Sequence, residues 1–108
     1  MLVLITGPVY ADCMRDSLGR TVCGPGQCAT HYRGEIYCAR NKFGTATLDR
    51  HGNVVCGIGQ CEKDFCGDLH CSKESGGGVV RNDQGEVDCF GACEPASVQF
   101  CEQSIVGQ

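Results

Sequence analysis

The chain has 108 residues, a net charge of −4, eleven cysteines and sixteen glycines, but only four phenylalanines and no tryptophan. This length predicts one domain, and the scarcity of large apolar residues predicts a thin hydrophobic core. The absence of a basic patch argues against nucleic acid as a partner. Because cysteine makes up about a tenth of the chain, the composition predicts a disulfide scaffold in an oxidising compartment, or metal sites in a reducing one.

Residues 1–11 predict either the remnant of a secretory signal peptide or an apolar N-terminal strand. The apolar run at residues 2–5 is followed by Gly7 and Pro8, and Ala11 is a small residue of the kind that precedes a signal cleavage site. The run is short and has no basic residues before it. We therefore interpret the segment as a truncated signal, and the protein as secreted, periplasmic or located on the cell surface. No other stretch is long and apolar enough to span a bilayer.

The strongest signal is an internal repeat of 33 residues. The phrase VCGPGQC at residues 22–28 returns as VCGIGQC at residues 55–61, and Cys23, Cys56 and Cys89 are spaced at the same interval. A finer repeat of eleven residues lies within this unit, with glycine at its seventh position and Asp, Asn or His three residues earlier. The five turn glycines are Gly19, Gly34, Gly52, Gly67 and Gly85.

Each eleven-residue phrase predicts a β-hairpin. The Asp or Asn side chain can accept hydrogen bonds from the turn backbone, and the glycine takes the left-handed conformation that ends a three-residue loop with a bulge. Apolar residues and cysteines then alternate with charged residues along the second strand. We therefore predict an all-β fold: a small disulfide-rich array of five to six repeated β-hairpins with little or no helix.

Connections of two lengths organise this array. Four-residue loops join hairpins 1 and 2 and hairpins 3 and 4, whereas glycine-rich loops of seven residues separate these pairs. An irregular sixth unit at residues 93–101 lacks the turn glycine. The predicted divisions are residues 1–11 for the signal remnant or strand, residues 12–101 for the repeat domain and residues 102–108 for a C-terminal tail.

The register of the hairpins predicts three cysteine pairs, and the four cysteines that remain complete a scheme of five bonds. Three pairs face each other across a hairpin, as non-hydrogen-bonded neighbours with Cα atoms about 4.5 Å apart. They are Cys13–Cys23, Cys28–Cys38 and Cys61–Cys71. The remaining four cysteines pair as Cys56–Cys89 and Cys93–Cys101. A rival scheme closes the short loops through Cys23–Cys28, Cys56–Cys61 and Cys89–Cys93, and the sequence leaves both schemes open.

Cys66, the eleventh cysteine, precedes the turn glycine of hairpin 4 and is predicted to be a free or intermolecular thiol at an exposed tip. The arrangement nearest to a metal site is formed by Cys61, Cys66, His70 and Cys71. We predict no metal and no other cofactor, because this spacing fits no standard zinc motif and two of the cysteines have hairpin partners. The histidines occupy three different repeat positions, which argues against one shared site. They are His31, His51 and His70.

The phrases GPGQC and GIGQC resemble those of small secreted bacterial cysteine-rich proteins built on G-x-G-Q-C hairpin repeats. The resemblance covers nearly all of the chain after residue 11 and implies fold class and compartment, but no activity. We find no catalytic constellation. The leading hypothesis is therefore a non-enzymatic extracytoplasmic structural or interaction module. Its partner is either another copy, joined through edge strands or Cys66 into oligomers or filaments, or another extracellular protein.

Two further hypotheses stay open. Reduced cysteines would make the chain a metal-binding or thiol-redox protein, although it contains no Cys-x-x-Cys motif. The tip around Cys66 differs from its repeated copies, and one exposed loop of this kind on a stapled scaffold would suit a small secreted inhibitor or toxin.

Overall fold

The computed structural model describes residues 12–106, so the predicted signal remnant or strand at residues 1–11 lies outside the described part. The described part is all-β, with one short 3₁₀ turn and no α-helix, as the sequence predicts. Its strands are β1 (Asp12–Arg15), β2 (Thr21–Gly24), β3 (Cys28–Thr30), β4 (Ile36–Ala39), β5 (Thr45–Leu48), β6 (Val54–Gly57), β7 (Cys61–Lys63), β8 (Leu69–Ser72), β9 (Val79–Arg81), β10 (Val87–Cys89), β11 (Cys93–Pro95), β12 (Cys101–Glu102) and β13 (Ile105–Val106), and the 3₁₀ turn covers Val98–Phe100.

Hairpins 1 to 5 are formed by consecutive antiparallel strand pairs, from β1–β2 to β9–β10. In hairpin 1 the Gly19 N–H donates to the Asp16 carbonyl (3.0 Å), and Asp16 Oδ1 accepts from the N–H groups of Leu18 and Arg20. Equivalent side chains accept in hairpins 3, 4 and 5, and His31 Nδ1 accepts in hairpin 2. All five turn glycines have φ between 81° and 94°, which confirms the predicted turn.

Neighbouring hairpins stack with β1 beside β3 and β2 beside β4. At the tips, the second turn residue of one hairpin donates its N–H to the turn glycine carbonyl of the next, and we call each such bond a tip rung. Three rungs form: Ser17 to Gly34 (3.2 Å), Tyr32 to Gly52 (3.2 Å) and Phe65 to Gly85 (3.0 Å). The approach requires glycine, because a Cβ on Gly85 would lie 2.4 Å from the Phe65 Cβ.

The repeated G-x-G-Q-C phrases hold the array together at its other end. The Gly26 N–H donates to the Ala39 carbonyl (3.1 Å), and the Gln27 N–H donates to the Gly44 carbonyl (3.0 Å). The second copy repeats both bonds, from Gly59 to Ser72 (3.0 Å) and from Gln60 to Gly77 (2.9 Å). The phrase therefore occurs twice because each copy makes the same bridge to the seven-residue loop that follows the next hairpin.

Residues 93–106, which we call the return strap, run back along the array instead of extending it. β11 pairs with β8, Ser97 bridges to Cys56, β12 pairs with β4, and β13 pairs with β2. The predicted sixth unit at residues 93–101 is therefore not a hairpin, and the predicted tail is paired at Glu102 and at Ile105–Val106. The physical reason is that the second strands of hairpins 1 to 4 offer open edges, whose backbone groups the strap satisfies.

The disulfides confirm three predicted pairs and correct two. Those across hairpins, Cys13–Cys23, Cys28–Cys38 and Cys61–Cys71, have Cα atoms 3.9 to 4.0 Å apart. Cys56 bonds to Cys101 instead of Cys89, and Cys89 bonds to Cys93. Cys89–Cys93 is the one pair that the rival scheme predicted correctly. The return strap explains both corrections, because it carries Cys101 back to β6. Cys66 is a free, exposed thiol, as predicted.

Small aliphatic side chains and sulfur form the core, which is as thin as the composition predicts. One cluster contains Val22, Ile36 and Cys38, and the other contains Ala39, Val54, Cys56 and Cys101. The molecule is a flat body of 48 × 39 × 21 Å. Five disulfides supplement this core, which is typical of small proteins that mature in an oxidising compartment. Within residues 12–106 no helix is long and apolar enough to cross a membrane.

Candidate functional site

The ladder of tip rungs is broken once, between hairpins 3 and 4. By the pattern of the other rungs, the Arg50 N–H would donate to the Gly67 carbonyl, but the described residues contain no such bond. A Cβ on Gly67 would meet nothing within 4 Å, so the neighbouring tip lies farther away here than at the other three interfaces. The Arg50 guanidinium pairs with the Asp68 carboxylate across the gap. Hairpins 3 and 4 are joined by a four-residue loop and were predicted to form a pair, yet the missing rung lies between their tips. At the base, the same loop is hydrogen-bonded to the seven-residue loop that follows hairpin 4.

A cleft of about 470 Å³ opens at this break, and we call it the open-rung cleft. Its walls come from the tips of hairpins 3 and 4 and its floor includes the return strap. The lining residues are Asp49, Arg50, His51, Val55, Asp68, Leu69, His70, Pro95 and Ala96. Two of the three histidines therefore lie in this cleft.

A second cleft, of about 420 Å³, lies on the other side of hairpin 3, between hairpins 2 and 3 and the strap. We call it the aromatic cleft. Its lining residues are His31, Tyr37, Asp49, Asn53, Val54, Val98, Cys101, Glu102 and Gln103. Neither arginine nor lysine lines it, whereas two carboxylates do. The cleft is therefore a negatively charged, partly aromatic recess.

Hydrogen bonds determine the tautomer and the orientation of the histidine in the aromatic cleft. His31 Nδ1 accepts from the Arg33 N–H (3.1 Å), so the proton of the imidazole is on Nε2, which lies 3.0 Å from Asn53 Oδ1. These two bonds fix the orientation of the ring. The rings of His31 and Tyr37 meet edge to face, with centroids 6.3 Å apart. Burial, assisted by the Glu35 carboxylate, raises the pKa of Tyr37, so its phenol stays protonated.

Asp49 supplies a fixed negative charge between the two clefts. Partial desolvation acts to raise its pKa, but hydrogen bonds from the backbone N–H groups of Asn53 and His51 outweigh it, and the pKa lies below 3.8. Asp16 is neutralised by Arg20 and Asp64 pairs with His70, whereas no arginine or lysine within residues 12–106 pairs with Asp49. The carboxylate is thus ionised at neutral pH and available to a ligand.

Acid should destabilise the fold through the turn carboxylates. At Asp16 and Asp49, desolvation acts to raise the pKa, but hydrogen bonds from the backbone outweigh it. At Asp64, the hydrogen bond with His70 is the main cause of a lowered pKa. All three pKa values therefore lie below the ordinary value of 3.8. Their stabilisation is complete above the ordinary pKa and is lost as pH falls through the lower folded values. Denaturant midpoints measured from pH 7 down to pH 2 should therefore stay nearly constant to about pH 4 and decrease at lower pH.

The control is a variant in which these three aspartates are replaced by asparagine. Asparagine can accept the same backbone bonds, as Asn82 does in hairpin 5. The variant should lose less stability between pH 4 and pH 2 than the parent. Identical acid profiles for the two proteins would contradict the assignment.

The residues predicted as the nearest approach to a metal site are used in other ways. Cys61 and Cys71 form a disulfide, Cys66 lies exposed at the tip, and His70 Nε2 lies 2.7 Å from Asp64 Oδ2. No group of three or more histidine, cysteine or acidic residues in the described part is placed to hold a metal ion. The sequence reasoning missed both clefts because each is completed by the return strap. The polar pair Glu102 and Gln103, in the segment predicted to be a tail, was the sequence feature that could have indicated the aromatic cleft.

Comparison with known proteins leaves the site to be interpreted from its own geometry. The resemblance to secreted proteins with G-x-G-Q-C repeats stays a prediction, and fold alone does not determine function. The chain matches no family model, no curated protein and no solved structure.

Proposed function

We propose that the protein is a non-enzymatic interaction module of an extracytoplasmic compartment, and that its aromatic cleft receives a basic side chain of a partner protein. The observation that carries the proposal is the pairing of two carboxylates, Asp49 and Glu102, with aromatic rings in a recess that neither arginine nor lysine lines. A rigid scaffold that presents such a recess suits binding better than covalent chemistry.

The chemistry of the recess favours an organic cation. A guanidinium or ammonium group can donate hydrogen bonds to the carboxylates and lie against the ring of Tyr37. Both ring nitrogens of His31 already have hydrogen-bond partners, so the ring does not pair with Asp49 or Glu102. The net charge of −4 favours the approach of basic partners over acidic ones.

The test uses N-acetyl-arginine amide and N-acetyl-citrulline amide, which have nearly the same shape but differ in charge. In an NMR titration the arginine derivative should saturate shifts at the amides of His31, Asn53 and Glu102. The citrulline derivative should bind at least about fivefold more weakly, as expected for the loss of a partly exposed charge-assisted contact.

Matched variants locate the binding. Glu102→Gln and Asp49→Asn should each weaken binding of the arginine derivative, while Glu74→Gln, an exposed change outside both clefts, should not. Equal affinity for citrulline, or an equal effect of Glu74→Gln, would refute the proposal.

Self-association is the second candidate, favoured by the surface of hairpin 5. Its sheet has only two strands, and Val80 in β9 and Phe90 directly after β10 are 66% and 69% exposed. Open strand edges next to apolar side chains can pair between molecules. A small-molecule disulfide of an oxidising compartment could then oxidise two Cys66 thiols to an intermolecular disulfide and be reduced to two thiols itself. Light scattering after size exclusion should show a mass that rises with concentration and falls in Val80→Lys. A constant monomer mass would exclude this candidate.

A further inference from the structure

The broken rung leaves a complementary pair of backbone groups without partners. Three of the four interfaces between adjacent hairpins contain a tip rung. The fourth has the equivalent donor, the Arg50 N–H, and the equivalent acceptor, the Gly67 carbonyl. In the described residues neither group has a partner in the protein. The open-rung cleft lies between the two tips that carry them.

We infer that the open-rung cleft binds an extended polypeptide segment of another protein. A peptide backbone presents both a carbonyl, which can accept from the Arg50 N–H, and an N–H, which can donate to the Gly67 carbonyl. The segment would take the place of the missing contact between the tips, as strands do when they add to an open edge. This inference concerns the opposite side of hairpin 3 and does not depend on the aromatic cleft.

The lining of the cleft matches this class of ligand. Val55 is buried and Leu69 and Ala96 are half-buried, so the floor can receive a small apolar side chain. The ion pair at the mouth joins Arg50 and Asp68, whose side chains are 54% and 56% exposed. An exposed pair of this kind contributes little to stability, so it can reorient when a peptide enters.

A displayed library of random seven-residue peptides is the probe, selected on the full chain with its disulfides intact. Selected peptides should bind the parent and lose binding to Ala96→Arg, which places a long side chain in the cleft. Ala92→Arg is the matched control, because Ala92 is exposed four residues before Ala96 and lies outside both clefts. Failure to select any peptide, or equal binding to Ala96→Arg and to the parent, would overturn the inference.

A second pair of variants isolates the backbone donor. Arg50 occupies the second turn position, where proline is favoured, so Arg50→Pro removes the N–H and the side chain, while Arg50→Ala removes the side chain alone. Arg50→Pro should bind selected peptides about five- to tenfold more weakly than Arg50→Ala, the usual effect of one hydrogen bond.

Hydrogen exchange gives a readout that needs no substitution. The Arg50 amide should exchange quickly in the free protein and slow when a selected peptide is bound, while the Tyr32 and Phe65 amides, already in rungs, should change little. Equal affinities of the two Arg50 variants, together with an unchanged Arg50 amide, would show that the backbone donor is not used. Because Glu102 does not line this cleft, Glu102→Gln should leave peptide binding intact, which separates this result from failure of the cation site.

Discussion

Replacing both Cys56 and Cys101 with alanine should lower the free energy of unfolding by about 4 kcal/mol, because their disulfide constrains the unfolded chain most. The bond joins residues 45 apart, whereas the hairpin disulfides join residues 10 apart and Cys89–Cys93 joins residues 4 apart. It also anchors the middle of the return strap to β6. The variant should therefore release the strap before the hairpins unfold.

The measurement is denaturant unfolding of the double variant beside a matched one, Cys89→Ala with Cys93→Ala, which should lose about 2 kcal/mol. Hydrogen exchange should quicken at the Ser97 amide, which donates to the Cys56 carbonyl, and change less at the Phe65 amide of a tip rung. Equal losses for the two double variants, or unchanged exchange at Ser97, would show that this bond does not hold the strap.

The structural features that depend on residues close together in the chain could be predicted from the sequence. Asp16 and Gly19 are three positions apart and define a turn through their own backbone geometry, so five copies of that spacing sufficed to predict five hairpins. The three hairpin disulfides followed from the register of those turns. Each of these features is decided within eleven residues, where turn chemistry is specific.

The sequence did not predict what depends on long-range pairing. Cys56 and Cys89 occupy equivalent repeat positions and both lack a hairpin partner, but equivalence in a repeat does not place two residues side by side. Residues 93–101 keep only an irregular copy of the repeat without its turn glycine, and the return path of residues 93–106 follows from the open edges of folded hairpins. The aromatic cleft was missed for the same reason, since Glu102 reaches His31 and Asn53 only through that path.

The two ends of the hairpins differ in how closely they are joined. At the base, both G-x-G-Q-C phrases are bridged and lie against disulfides, with a Cβ on Gly57 only 2.5 Å from the Cys71 Sγ. At the tips, single hydrogen bonds join the hairpins, and one of these is missing. A tightly held base with a less constrained tip surface is the arrangement expected of a scaffold that presents binding loops.

Gly26→Ala should destabilise the protein by about 3 kcal/mol, because the site leaves no room for a methyl group. A Cβ there would lie 2.6 Å from the Asn41 carbonyl oxygen, 2.7 Å from the Ala39 Cβ and 2.9 Å from the Gly44 carbonyl oxygen. Two of these atoms belong to the backbone and cannot rotate away, so the bridge between Gly26 and Ala39 must open.

The matched control is Gly78→Ala, since a Cβ on Gly78 meets nothing within 4 Å and its φ is not in the left-handed region. That variant should keep the parental denaturant midpoint, or gain slightly because alanine restricts the unfolded chain. In the second copy of the phrase, Gly59→Ala should match Gly26→Ala, because its Cβ would lie 2.6 Å from the Glu74 carbonyl oxygen. If Gly26→Ala and Gly78→Ala unfold at the same denaturant concentration, close packing is not the reason that the G-x-G-Q-C phrase is repeated.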